Sequence, residues 1–224
     1  MYLYPAIDVR DRGLARAPQE LDPVAAARAI MAAGAGRAHV VDLDRVFGTG
    51  QNDAVIRDVL GALHAARVQV GGGLRSVADV ADVLGWGAAR VVVGAEVAAD
   101  LPVLAAAVGP DRLALAIDVR DGLTTSPSGV PVRVSPDALL AASLGAGVVT
   151  IVYRDRGRDG TLRGADFGAA ARLLTSGGEI VFAGGVATLD DLRRARDHGF
   201  AGVIVGRALL NGRFTLAEAL ACCG

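Results

Sequence analysis

The sequence contains no lysine, so all 23 of its basic residues are arginine. Schiff-base enzymes and the phosphate-loop NTPases both depend on a lysine, and both classes are therefore excluded. The only cysteines are the adjacent Cys222 and Cys223, which rules out a disulfide framework and a cysteine-rich zinc site. The three histidines, His39, His64 and His198, lie far apart in the sequence and show no metal-ligand spacing. We expect no metal and no organic cofactor.

The chain also lacks an excess of charge of either sign and any long apolar run. With 23 basic and 24 acidic residues, the net charge is −1, so the field that attracts nucleic acid is missing. No stretch reaches the roughly 18 apolar residues of a membrane span, and the first residues do not resemble a secretory signal. We expect a cytoplasmic protein that binds neither nucleic acid nor membrane and acts as a monomer. At 52% hydrophobic over 224 residues, it has enough apolar side chains for one sizeable core.

Four short motifs recur in the same order, 110 to 112 residues further along the chain. They are AIDVRD at residues 6–11 and 116–121, GAG at 34–36 and 145–147, the glycine pairs 72–73 and 184–185, and Val-Gly at 93–94 and 205–206. One or two such matches could arise by chance in a sequence rich in glycine and alanine. Four in register indicate a duplicated half.

Short β-branched runs alternate with Ala/Leu-rich stretches of helical period throughout the sequence. The runs predict eight strands: 2–7, 38–43, 68–70, 90–93, 113–117, 148–152, 179–182 and 202–205. Helices are predicted to begin near residues 23, 53, 77, 101, 136, 166, 189 and 215. This pattern predicts an α/β fold, a one-domain (β/α)8 barrel of two half-barrels, about 1–110 and 111–224. A doubly wound open sheet also alternates strand and helix, but it gives no reason for the repeat.

Two aspartates follow predicted strands that are diametrically opposite in an eight-stranded ring. Asp8 comes after the first strand and Asp118 after the fifth. Active sites of such barrels form where strands end, so the two carboxylates should face each other across the mouth. One can then act as a general base and the other as a general acid. The alternative is that each aspartate only caps a loop.

Glycines follow the third, fourth, seventh and eighth predicted strands. Glycine lets backbone N–H groups approach an anion, although tight turns use glycine as well. The duplication predicts two phosphate sites on opposite sides of the mouth, and hence a bisphosphate ligand whose centre lies between Asp8 and Asp118. The first site comprises Gly72, Gly73 and Gly94, and the second comprises Gly184, Gly185 and Gly206.

These motifs together resemble a known family. PAID at 5–8, VVDLD at 40–44, QVGGGLRS at 69–76, AIDVRDG at 116–122, RDGTLRG at 158–164, AGGVATLDDL at 183–192 and VIVGRALLNGRFTLAEAL at 203–220 are similar to the phosphoribosylformimino-aminoimidazole carboxamide ribotide isomerases of histidine biosynthesis. The resemblance runs almost end to end. The sequence is also similar to the sister cyclase and to the actinobacterial isomerase that serves tryptophan synthesis as well, but PAID, VDLD and RALLNGRFTLAEAL favour the isomerase.

The resemblance implies an Amadori rearrangement, in which an aldose amine becomes an aminoketose without a metal or organic cofactor. By this resemblance Asp8 removes the sugar C2 proton, and Asp118 is the acid that assists opening of the ribose ring. It also implies that Asp159 lies near the substrate. The implied phosphate ligands are Gly72, Gly73 and Gly94 on one side, and Gly184, Gly185, Gly206 and Arg207 on the other.

The sequence departs from the family at three places. The loop after the first strand is short, the loop after the fifth strand lacks its tryptophan, and Arg154 stands where the family has threonine. Loss of such lids is expected to lower activity on the histidine-pathway substrate, and Arg154 is predicted to make a new substrate contact. Alternatives therefore stay open: a dual-substrate isomerase, a diverged paralogue with another substrate, or a non-catalytic barrel that binds phosphate or serves as a partner protein.

Several further polar residues have both a functional and a structural interpretation. Asp42 and Asp44 either touch substrate or anchor a loop, and the sequence does not decide between these roles. His39 is predicted to be a core residue of its strand. Arg10, Arg12 and Arg16 could bind a phosphate, but a solvated basic loop is the more common case.

Overall fold

A computed structural model of the chain describes residues 1–15, 22–64, 66–126 and 129–224. Eight parallel strands form a closed ring, because the first strand pairs with the last as well as with its successor. The ring confirms the predicted (β/α)8 barrel and excludes the open sheet. Its strands are β1 Tyr2–Arg10, β3 Arg37–Asp42, β4 Arg67–Gly71, β5 Arg90–Val93, β6 Leu113–Arg120, β8 Thr150–Asp155, β9 Glu179–Ala183 and β10 Gly202–Val205.

The helices surround this ring. They are α1 Pro23–Ala32, α2 Leu43–Phe47, α3 Asp53–Ala62, α4 Val77–Gly85, α5 Leu101–Val108, α6 Pro136–Gly145, α7 Gly168–Ala171, α8 Leu189–Asp197, α9 Arg207–Leu210 and α10 Leu216–Cys223. Three short 3-10 helices cover Ala95–Asp100, Pro110–Arg112 and Arg172–Ser176. No helix in the described ranges is long and apolar enough to cross a membrane.

Helix starts agree with the capping signals in the sequence. Asp22 accepts hydrogen bonds from the first-turn N–H groups of α1, and Thr188 forms a capping box with Asp191 at the start of α8. The helix predicted near Asp166 is shorter than expected. The Asp166 carboxylate accepts from the N–H of Gly168, so this aspartate lies before the helix.

The barrel interior is filled by small and medium side chains. Tyr4, Val92, Ala114, Ala116, Val152, Val181, Ala183 and Ile204 form this inner cluster, while the larger apolar residues pack between strands and helices. Side chains alternate along a strand, so residues two positions beyond an inner residue also point inward. Asp118 and Arg154 follow Ala116 and Val152 in this way, which brings both to the C-terminal mouth.

Two hairpins extend the first strand of each half and were missed by the sequence analysis. β1 turns back into β2 Gly13–Leu14, and β6 turns back into β7 Leu123–Thr125. Both central residues of each turn have positive φ: 50° and 65° at Asp11 and Arg12, and 52° and 77° at Asp121 and Gly122. This is the backbone of a type I′ turn, whose twist suits a two-residue hairpin. The apolar runs that predict these strands end at residues 7 and 117, whereas the hairpins continue β1 and β6 through charged residues to Arg10 and Arg120.

Candidate active site

A cavity of about 270 Å³ opens at the C-terminal mouth of the barrel. It extends along the ends of β1, β3, β8, β9 and β10. Four arginines and two aspartates are the charged residues among its described lining: Arg10, Arg154, Arg156, Arg207, Asp8 and Asp159. The excess of guanidinium groups makes the cavity suited to an anionic ligand.

Asp8 and Asp118 lie on opposite strands of the ring but in different surroundings. Asp8 is partly exposed and lines the cavity, whereas Asp118 is only 2% exposed and lies outside the described lining. The Nε atom of Arg154 lies 3.6 Å from an Asp118 carboxylate oxygen. Among the described residues, neither carboxylate oxygen of Asp118 has a hydrogen-bond partner. The arginine charge is therefore the main compensation for burying this carboxylate.

Strand register places Arg154 directly beside Asp118 at the mouth. Asp118 is paired in register with Arg154 on β8, and Asp8 is paired with Val41 on β3. The Asp118 carboxylate raises the pKa of Arg154 above its ordinary value, with smaller contributions from Asp159 and Asp8. Arg154 was predicted to contact substrate in place of a threonine. It does line the cavity, but its ion-pair partner is Asp118.

His39 lies at the cavity floor on β3 and is buried, as predicted. Its Nδ1 is 3.1 Å from the amide nitrogen of Gln69. Burial, and secondarily the charge of Arg154, lowers the pKa of His39 to about 3, so the ring is neutral near pH 7.

The glycines of the second half line the cavity. Gly184 and Gly185 have φ of 106° and 78°, and a Cβ at these positions would come within 2.5 Å of the Asp155 carbonyl oxygen and 2.7 Å of the Gly164 carbonyl oxygen. Gly206 precedes α9, and the Arg207 guanidinium donates to the carbonyl of Gly160. Close backbone packing therefore requires the Gly184–Gly185 pair before any ligand is considered.

In the first half, Gly72 and Gly73 have positive φ like their counterparts Gly184 and Gly185, but they and Gly94 lie outside the described cavity lining. A Cβ at Gly72 or Gly73 would come within 2.5 Å of the Asp42 carbonyl oxygen and 2.6 Å of the Arg45 carbonyl oxygen. At Gly94 the space beyond the Cα is taken by the carboxylate of Glu96. The duplication therefore extends to the backbone of the two glycine pairs but not to the opening of the cavity at the mouth.

Asp42 and Asp44 anchor loops. Asp42 accepts hydrogen bonds from the backbone N–H and side-chain amide of Asn52, at 2.7 and 2.8 Å, and Asp44 accepts from the N–H of Asp11 at 2.7 Å. The Asn52 amide oxygen in turn accepts from the N–H of Arg12.

The sequence allows Asp42 and Asp44 either to contact substrate or to anchor a loop, and the geometry favours anchoring. The sequence does not single out Asn52 for this role, because an asparagine directly before a helix is ordinarily interpreted as a helix cap. The candidate Arg16 lies outside the described residues, and so do positions 127 and 128 in the loop after β7.

Comparison with known proteins identifies the family of this chain. Residues 2–215 match the family described as "Histidine biosynthesis protein". The chain is 41% identical over 239 residues to the 1-(5-phosphoribosyl)-5-((5-phosphoribosylamino)methylideneamino) imidazole-4-carboxamide isomerase of Moorella thermoacetica, covering 99% of this chain and 98% of the relative.

Proteins of the same name from two other organisms are similar to the same extent. One from Thermus thermophilus is 41% identical over 233 residues, covering 98% of each chain. The one from Symbiobacterium thermophilum is 39% identical over 241 residues, covering 99% of this chain and 96% of the relative. Because the family match and these identities extend along almost the whole length, the chain belongs to the histidine biosynthesis protein family and groups with its isomerases.

Proposed function

We propose that this chain isomerises the bisphosphorylated imidazole carboxamide named for its relatives, converting an aldose amine into an aminoketose. The observation that carries the proposal is the combination of end-to-end identity with Asp8 and Asp118 on opposite strands of one mouth. The arginine-rich lining supports an anionic substrate. The named relatives give no support to the alternative of a second substrate in tryptophan synthesis.

In this reaction Asp8 is the base. Its carboxylate lines the cavity, where the sugar C2 atom of a bound substrate can reach it. Removal of the C2 proton gives an enolamine, and its reprotonation at C1 with loss of the O2 proton gives the ketose. The hydrogen count is unchanged, so no external oxidant or reductant is needed.

Asp118 is the proposed acid that protonates the ring oxygen as the ribose opens. Its carboxyl group lies 3.6 Å from the Arg154 guanidinium. The phosphates of the incoming substrate offer Arg154 bidentate hydrogen bonds, and in the proposed mechanism Arg154 turns toward them and leaves Asp118 accessible to the ring oxygen. Arg154 is thus a positioning residue in the proposed mechanism.

The phosphates are assigned to the two glycine-rich sides of the mouth. Gly184, Gly185, Gly206 and Arg207 hold one phosphate at the open side. Gly72, Gly73 and Gly94 face the other phosphate across the barrel, and Asp159 contacts the substrate between them.

The test replaces each aspartate by its neutral isostere. Asp8→Asn and Asp118→Asn are each expected to lower kcat by about 10² to 10⁴, the usual contribution of a general acid or base. Binding of the bisphosphate should change little, because other loops hold the phosphates. Asp58→Asn, at an exposed position on α3, is the matched control. Near-wild-type kcat in both active-site variants would contradict the two-carboxylate mechanism.

Steady-state kinetics with the histidine-pathway substrate separate this function from that of a diverged paralogue. A kcat/KM of about 10⁴ M⁻¹s⁻¹ or more is the expected result for an efficient enzyme. Undetectable turnover with phosphate binding intact would favour the paralogue and give the short first loop as the reason.

A further inference from the structure

Glu96 occupies the first-half side of the barrel mouth. A Cβ built on Gly94 would overlap the Glu96 carboxylate, so this group lies directly against the Cα of Gly94. Val92 points into the barrel, and the two-residue period of the strand makes the corresponding direction at Gly94 inward as well. The carboxylate therefore lies over the mouth, with only 24% of the side chain exposed.

An arginine from the adjacent glycine-rich loop compensates this carboxylate. The Nε atom of Arg75 lies 3.7 Å from Glu96, and the Arg75 side chain is 62% exposed. Arg75 follows the Gly72–Gly73 pair directly after Leu74. Glu96 thus connects the loops after β4 and β5, which are the loops assigned to one substrate phosphate.

The second half of the barrel has opposite chemistry at the equivalent positions. The 112-residue offset that relates Gly94 to Gly206 relates Ala95 to Arg207 and Glu96 to Ala208. An arginine and an alanine therefore stand where the first half has an alanine and a glutamate. Consistent with this, the cavity is lined by Gly206 and Arg207 but includes neither Gly94 nor the Gly72–Gly73 pair among its described lining.

We propose that Glu96 determines specificity by competing with a ligand phosphate for the first-half side of the mouth. A bisphosphate must displace the Glu96 carboxylate and take over Arg75, whereas a phosphate in the second half meets no such competitor. The part of this proposal that concerns the bisphosphate rests on the proposed function. Removing the negative charge should strengthen phosphate binding there by about tenfold, the order expected for one like-charge contact that water largely screens.

Inorganic phosphate alone tests the competition without any assumption about the substrate. Isothermal titration and crystals equilibrated with phosphate are expected to show one site in the wild type, beside Gly184 and Arg207. Glu96→Gln should add a second site beside Gly72 and Gly94. Asp197→Asn removes the same charge from an exposed position on α8 and should retain one site. Two sites in the wild type, or one in Glu96→Gln with unchanged affinity, would overturn the proposal.

Kinetics give a second readout for the bisphosphate substrate. Its KM is expected to fall about tenfold in Glu96→Gln and to stay unchanged in Asp197→Asn. An unchanged KM in Glu96→Gln would refute the competition. Absence of turnover in the wild type would instead refute the proposed function. The number of inorganic phosphate sites would then be the test of the role of Glu96.

Discussion

The ion pair between Arg154 and Asp118 allows a quantitative prediction of stability. Arg154→Met removes the guanidinium and keeps a side chain of similar length. Asp118 is then a carboxylate at 2% exposure with no hydrogen-bond partner among the described residues. Breaking a buried pair by removing one partner costs about 3–5 kcal/mol, and we expect about 3 because the Arg154 side chain is 18% exposed.

The opposite change should cost less. Asp118→Asn leaves Arg154 as the buried cation, but Asp159 and Asp8 also favour its charged form, as the raised pKa of Arg154 shows. We therefore expect the free energy of unfolding to fall by about 1 kcal/mol, which is the typical net contribution of one hydrogen bond. In the Asp118→Asn background, Arg154→Met should then cost about 1 kcal/mol instead of about 3, which gives a coupling energy of about 2 kcal/mol.

Urea unfolding of the two single variants and the double variant measures this coupling. Arg193→Met, at an exposed position on α8, is the control and should stay within about 0.5 kcal/mol of the wild type. Additive losses, within about 0.5 kcal/mol, would show that the two charges do not stabilise each other. Equal losses in the two single variants would refute the role given to Asp159 and Asp8.

Two further predictions concern buried polar residues. Because the pKa of His39 is about 3 when folded and about 6.5 when unfolded, the unfolded state binds the proton first and stability falls as pH drops below about 6.5. Urea unfolding should show a free energy of unfolding about 2 kcal/mol lower at pH 5 than at pH 7. An equal loss in His39→Asn would show that protonation of His39 is not its cause. Asn52→Ala should destabilise by about 2–4 kcal/mol, because Asp42 and Asp44 lose buried hydrogen bonds. A loss below about 0.5 kcal/mol in the same assay would show that these bonds are replaced.

The fold could be predicted because local and repeated signals agreed. The 110-residue offset separates the first strands of the two halves, and the capping residues Asp22, Ser135 and Thr188 mark where helices begin. The capping signals depend on local backbone geometry, which is determined by residues close together in the sequence. The placement of Asp8 and Asp118 on opposite strands followed directly from the strand count.

The charge distribution at the mouth could not be predicted in the same way. The contact between Arg154 and Asp118 joins residues 36 positions apart through the register of β6 and β8. The position of Glu96 depends on how a side chain folds back over the preceding glycine. Neither arrangement has a local sequence pattern. Comparison with the family therefore predicted a substrate contact for Arg154, and the duplicated glycines predicted an open anion site beside Gly94.

The two halves have equivalent strands, but the side chains at the mouth of the barrel differ between them. Asp8 and Asp118 have equivalent places in equivalent strands, and the register neighbour that separates them is Val41 in one half and Arg154 in the other. In the proposed mechanism the base must be a carboxylate within reach of the substrate, and the acid must act on the ring oxygen only once the substrate is bound. Two carboxylates in identical surroundings could not meet both requirements at one pH. The difference in register neighbour therefore contributes to the different environments of the two aspartates, and in the proposed mechanism it makes the position of Arg154 beside Asp118 depend on the arrival of substrate.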